Sequence, residues 1–171
     1  MVYQMPKLFP AAGAKNRVIG FSAGESRSGF SVLMADIVPS LHAADMVGSQ
    51  YLPLYWYDVE TPVDVNGESS LFASPKAQLD SVRRDGITDA GLAHFQSAYP
   101  GETITKEDLF YYVYGMLHSP DYRERYADNL GKELPRIPRV KTAADFWAFS
   151  KAGRALGELH VGYERVPEHA A

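Results

Sequence analysis

The stretch TKEDLFYYVYGMLHSPDYRERYADNLG (Thr105–Gly131) decides the fold, because it carries two helices together with their start and stop signals. Thr105-Lys-Glu-Asp108 has the form of a capping box, with acidic groups in the first turn favouring the positive helix end. The helix it opens carries Leu109, Phe110, Val113, Tyr114 and Leu117 on one broad face. Ser119-Pro120 ends that helix and starts the next, since serine caps and proline suits the first helical position. The second helix runs to about Leu130 and stops at Gly131, where a left-handed cap is expected. Pro135 and Pro138 then hold Leu134–Arg139 extended. Thr142-Ala-Ala-Asp145 repeats the capping pattern and opens a last helix through about Gly157, while Thr88 caps an earlier one reaching Phe95 or Tyr99 before Pro100. About four helices therefore follow Gly86.

Working outward, residues 1–60 read differently. Short apolar runs sit between Gly and Pro breaks, as strands and turns do. RVIGFS (Arg17–Ser22) and YLPLYWY (Tyr51–Tyr57) are the expected strands, and Pro53 makes the second an edge strand or one with an irregular start. FSVLMADI (Phe30–Ile37) fits a short buried strand or a short helix. Residues 61–83 form a polar excursion or hairpin with Asn66-Gly67 as its turn. The expected fold is α+β, a single domain over 1–171 in which a strand-rich N-terminal half packs against a C-terminal bundle of about four helices.

Composition sets the outer bounds. With 171 residues and 46% hydrophobic content, the chain can bury a core and is not of the disordered class. No apolar run approaches the roughly 20 residues needed to span a bilayer. No basic segment leads into an apolar core at the start, and the absence of Cys removes disulfides and thiolate chemistry. A cytoplasmic protein is expected. Seventeen Lys+Arg against 21 Asp+Glu give a net charge of −4, whereas a freestanding nucleic-acid binder is usually basic. The balance reverses locally. Between Lys132 and Lys141 four cations (Lys132, Arg136, Arg139, Lys141) face the single acid Glu133, a local +3, which suits a solvated loop or a phosphate contact.

Catalytic signatures are weak. Gly20-Phe-Ser-Ala-Gly24 matches the nucleophile elbow of serine hydrolases, yet a polar, Gly-interrupted segment follows it rather than a helix. His42, His94, His118, His160 and His169 lie too far apart for a metal motif, and His118 at a helix end suits a cation on the negative pole. Phosphate-binding and dinucleotide-binding glycine motifs are missing, as is the Asn/Asp-Pro-Pro-aromatic motif that cradles a target adenine. No catalytic centre is expected in this chain, nor a cofactor or metal. The aromatic runs Phe110–Tyr114 and Tyr55–Tyr57 read mostly as core, with hydroxyls reaching polar partners at its edge. Arg123 and Arg125, among Asp121, Glu124 and Asp128, suit salt bridges along their helix.

FYYVYGMLHSPDYRERYADNLGKELPRIPR (Phe110–Arg139) resembles a signature in the C-terminal region of Type ISP single-polypeptide restriction–modification enzymes and related adenine-methyltransferase/helicase fusions. VYQMPKLFP (Val2–Pro10), GFSVLMADIVPSLH (Gly29–His42), YLPLYWYD (Tyr51–Asp58) and the helix Thr142–Glu164 are similar to further segments of that region, in the same order. Ser40 departs from the acid often found there. The resemblance implies a C-terminal fragment of a much larger polypeptide, beginning inside a motif at Val2-Tyr3. Its partners would be double-stranded DNA and the parent's methyltransferase and helicase domains, and S-adenosylmethionine, ATP and Mg2+ would belong to those upstream parts. The function implied is DNA target recognition, with Lys15, Arg17, Arg27, Lys132, Arg136, Arg139 and Lys141 as contacts. Segments shared by relatives that read different sites belong to the scaffold, which leaves loops 22–29 and 61–83 to read bases. The alternative is a docking module that braces the methyltransferase without touching DNA.

Overall fold

The structure is a computed structural model that describes residues 5–11, 13–22, 29–38, 50–58 and 82–166. Arg27, Ser40, His42, His169, the Asn66-Gly67 turn and most of both proposed base-reading loops lie outside the described residues. The N-terminal half holds a short helix α1 (Met5–Leu8) and strands β1 (Val18–Phe21), β2 (Val32–Ala35), β3 (Gln50–Pro53), β4 (Tyr55–Asp58) and β5 (Val82–Asp85). The C-terminal half holds α2 (Asp89–Gln96), α3 (Lys106–His118), α4 (Pro120–Arg125), α5 (Ala127–Leu130) and α6 (Ala143–Val161), followed by a single 3-10 turn at Tyr163–Arg165. The α+β arrangement is as expected.

The expected strand Tyr51–Tyr57 is two strands in two sheets. β3 joins an antiparallel sheet in the order β2-β1-β3, and β4 pairs antiparallel with β5. The chain changes sheet at Leu54, whose side chain enters the core and whose backbone bridges both halves. Its N–H donates to the Arg17 carbonyl (2.7 Å) and its carbonyl accepts from Gly86 N–H (2.8 Å). Only glycine fits there, because a Cβ on Gly86 would stand 1.9 Å from the Pro53 carbonyl oxygen. Pro53 ends an edge strand, where its missing N–H costs no ladder bond. β5 crosses the 83/84 position at which the helical half was expected to begin, so the strand-rich part extends to Asp85.

α3 is the hub. Leu109–Tyr114, Met116 and Leu117 are all buried, so the helix is enclosed on every side instead of presenting the single face its spacing suggested. The sheet covers it with Ile19, Phe21, Val32 and Met34, and α6 crosses it closely at Gly115 and Gly153. Phe146 of α6 stacks on Tyr112 at 4.8 Å.

The caps were legible. Thr88, Thr105, Ser119 and Thr142 each accept a backbone N–H at the start of their helix, and Thr105 with Asp108 completes the capping box. Thr105→Ala is expected to lower stability by about 1 kcal/mol, the usual worth of such a cap, readable as a small fall in Tm. The helix expected through Leu130 breaks at Tyr126 into α4 and α5. Gly131 ends α5 at φ −82°, a right-handed conformation, and so corrects the expected left-handed cap.

Candidate nucleic-acid interface

Beyond a turn at Gly131–Glu133, whose Lys132 and Glu133 N–H groups donate to the Asn129 carbonyl, the chain runs without helix or strand from Leu134 to Val140. Prolines at 135 and 138 fix their own φ and push the residues before them away from the helical region. Among the described residues, no backbone hydrogen bond ties 134–141 to a neighbouring strand. Three phenols tie it instead. Tyr122 donates to the Arg136 carbonyl (3.0 Å), Tyr112 to the Pro138 carbonyl (2.6 Å) and Tyr99 to the Val140 carbonyl (2.7 Å). Burial, above all, raises all three phenols above their usual range, so each stays protonated and donates. Ile137 and Val140 pack on the core, while Lys132, Arg136, Arg139 and Lys141 are exposed.

These cations are lightly engaged. Arg136, 85% exposed in its side chain, meets Glu133 at 2.9 Å, an exposed pair of the kind that contributes little. Arg139 Nη1 donates to the His94 carbonyl (3.1 Å) at the end of α2. No hydrogen bond or ion pair of the Lys132 or Lys141 ammonium is present among the described residues.

Lys15 and Arg17 belong elsewhere. They flank Asn16, a buried amide whose Nδ2 donates to the carbonyls of Leu8 and Tyr55 and whose Oδ1 accepts from the N–H groups of Arg17 and Tyr55. Lys15 is exposed, its carbonyl held by the Tyr57 hydroxyl (3.1 Å). Arg17 Nη2 donates to both oxygens of Glu158 near the C-terminal end of α6 (2.9 and 3.0 Å), and its Nη1 is buried with no hydrogen-bond partner among the described residues. Lys141 precedes α6 at the other end. Sixteen residues of helix, from 142 to 158, separate the two groups by roughly 24 Å. The described sequence candidates thus form two sets, one at each end of α6.

Two cations on β5 escaped the sequence reading. Arg83 lies over the Tyr55 ring at 4.3 Å and Arg84 pairs with Asp58. The Arg-Arg pair at the end of a polar stretch was the available signal. Arg123 and Arg125 correct an expectation. Among the described residues neither makes a salt bridge; Arg123 Nε donates to the Leu117 carbonyl (2.7 Å), and Arg125 lies over the Tyr126 ring.

Ser22 is not presented as a nucleophile. Ser22 is 3% exposed, donates to the Gly29 carbonyl (3.3 Å) and accepts from Ser31 N–H (2.9 Å), so its hydroxyl clamps a loop. Among the described residues no group of three His, Asp or Glu is placed to hold a metal. His118 is not the helix-end cation expected from its position. Burial, with Arg123 and His160 beside it, lowers its pKa to about 4, which keeps it neutral.

The model of the Type ISP C-terminal specificity domain matches residues 1–171. The chain belongs to that family. This specificity domain is 39% identical to a DrdV chain in a cryo-EM structure of a DrdV–DNA complex, with a TM-score of 0.77 over 99% of its residues. It is 29% identical to the ATP-dependent Type ISP restriction–modification enzyme LlaBIII bound to DNA (TM-score 0.75, 100% covered). A nuclease-deletion mutant of the Type ISP enzyme LlaGI, in complex with a DNA substrate mimic, is 28% identical (TM-score 0.65, 98% covered). The specificity domain spans 14%, 10% and 12% of those three chains. No curated protein matches it. Among the described residues no helix is long and apolar enough to cross a membrane.

Proposed function

We infer that this specificity domain recognises the DNA target of a larger, cytoplasmic restriction–modification polypeptide. The observation that carries this reading is likeness over 99% of the chain, at 39% identity, to part of a protein solved in complex with DNA. Catalysis would reside in upstream methyltransferase, helicase and nuclease parts, which would use S-adenosylmethionine, ATP and Mg2+. Within this chain, phosphate contacts fall to Lys132, Arg136, Arg139 and Lys141, with Lys15 as a separate contact. Arg27 stays among the proposed contacts. Arg17 serves to brace β1 against α6 through Glu158. The net charge of −4 is compatible with this role, because affinity here rests on a local cation run and on neighbouring domains.

A second reading has its own observation. Leu33, Ile37 and Val38 are exposed, and Ile37 and Val38 line a hollow of about 550 Å³ with Phe9, Lys15, Arg17 and Asp36. That apolar surface favours a bracing role against the parent's other domains. One experiment separates the readings. Fluorescence anisotropy of labelled duplex DNA is measured against the purified chain across a salt titration. Target recognition predicts affinity that falls steeply with salt, and a log–log slope about 2 smaller in magnitude for Arg136→Ala/Arg139→Ala, since each lost phosphate contact removes about 0.9. Absence of salt-dependent binding, repeated with the longer parent polypeptide, would leave only the bracing role.

A further inference from the structure

The three tyrosine hydroxyls on the extended segment have a geometry that scaffolding alone does not require. They meet the carbonyls of 136, 138 and 140, alternate residues, as the two-residue period of an extended chain allows. The hydroxyls come from three different places, α4, the middle of α3 and the turn after α2, yet converge on one five-residue run. Cations stand at 136 and 139 within that run and at 141 just beyond it. At about 3.1–3.3 Å per residue, an extended run carries Arg136 and Arg139 roughly 10 Å apart. Pro138 restricts Ile137 and itself within the run, and Pro135 restricts the chain just before it.

We propose that Tyr99, Tyr112 and Tyr122 are positioning residues for DNA binding, holding the Arg136–Lys141 segment in a preformed conformation that offers its cations to DNA phosphates. The inference rests on the DNA-recognition reading above and deepens it. Ordering a flexible, arginine-bearing loop would otherwise be a cost of every binding event. The segment has met that cost in the free protein, and its guanidinium groups keep most of their donors available. Arg139 spends one donor on the His94 carbonyl, which aims the group without enclosing it.

Phenylalanine variants test this cleanly, because the rings and their packing remain. The Tyr112 ring, stacked on Phe146, is kept while only its hydroxyl is lost. Duplex-DNA salt titrations are run on wild type, Tyr112→Phe/Tyr122→Phe, Arg136→Ala/Arg139→Ala and the four-site combination, with Tm recorded for each. The tyrosine pair is expected to weaken binding about tenfold and to reduce the salt slope by 1 to 2, because misplaced cations release fewer counterions. In the Arg136→Ala/Arg139→Ala background the same pair should add nothing, since both changes act through one element. A merely structural role would lower affinity by a factor independent of salt. That outcome, or an unchanged slope with unchanged affinity, or full additivity with the arginine changes, would overturn the inference while DNA binding stands. If wild type itself shows no salt-dependent binding, alone or in the parent polypeptide, the DNA reading falls and this inference with it.

Discussion

Gly153→Ala is expected to lose about 3 kcal/mol of stability or more, the upper range for overpacking a core. A Cβ at 153 would lie 2.0 Å from the Tyr111 carbonyl oxygen and 2.7 Å from the Gly115 amide nitrogen. Both are backbone atoms of α3, so no side chain can rotate away and the two helices must separate. The crossing is reciprocal, since a Cβ on Gly115 would meet the Phe149 carbonyl at 2.3 Å. Because α3 lies at the centre of the core and α6 also touches the sheet at Met34, the displacement would spread to the sheet. For a chain of this size each kcal/mol moves Tm by about 2–4 °C, so a fall of roughly 6–12 °C follows. Two controls sharpen the test. At Gly157 the nearest atom is Met34 Sδ (2.7 Å), the end of a flexible side chain, so Gly157→Ala should cost much less. Gly131 has open space and a right-handed conformation, so Gly131→Ala should be neutral or slightly stabilising through the unfolded chain. A Gly153→Ala protein melting with wild type would mean that the helices do not approach so closely.

The helical half could be read from sequence because its signals are local. Each of Thr88, Thr105, Ser119 and Thr142 satisfies a backbone donor within three residues, and such contacts need no tertiary partner. The strand half was harder for a matching reason. At Leu54 only Pro53 hints at irregularity within the apolar run, and the change of sheet is set by Arg17 and Gly86, far away in sequence. β5, Val-Arg-Arg-Asp, is exposed at every position, so no hydrophobic pattern could mark it; its pairing rests on backbone bonds to β4. The candidate interface divides the same way. The charge run from Lys132 to Lys141 and the prolines within it are local and were legible. That Arg17 is held by Glu158, 141 residues away, is a product of the fold, as is the convergence of three tyrosines on one segment. Arg123 and Arg125 show the limit of spacing rules, because nearby acids lost to a helix-end carbonyl and an aromatic face.

Acid is expected to destabilise the domain before its carboxylates titrate, and His118 is the main reason. The ring sits at the end of α3 against Tyr114 (4.7 Å) and His160 of α6 (5.5 Å), with Arg123 of α4 beside it. A guanidinium can only donate, so His118 Nδ1, 3.4 Å from Arg123 Nη2, accepts. The neutral ring then carries its proton on Nε2, which is buried with no hydrogen-bond partner among the described residues. A second proton would place a cation in a partly buried site next to Arg123. Burial first, then Arg123 and His160, lower the pKa from 6.5 to about 4. Burial lowers His160 as well, and its Nδ1 faces the Tyr114 hydroxyl. The sign follows directly. Between pH 6.5 and 4 the unfolded chain holds a proton at His118 that the folded chain does not, so stability is full above about 6.5 and declines as pH falls toward 4. The decline is at most about 1.4 kcal/mol per pH unit, and for a ring only partly shielded from water roughly 1–2 kcal/mol between pH 7 and 5. Urea unfolding at a series of pH values should show this slope in wild type. In His118→Gln, whose amide oxygen can still accept from Arg123, the slope between pH 6.5 and 5 should flatten by most of that amount. Identical profiles for the two proteins would mean that His118 is charged in the folded state.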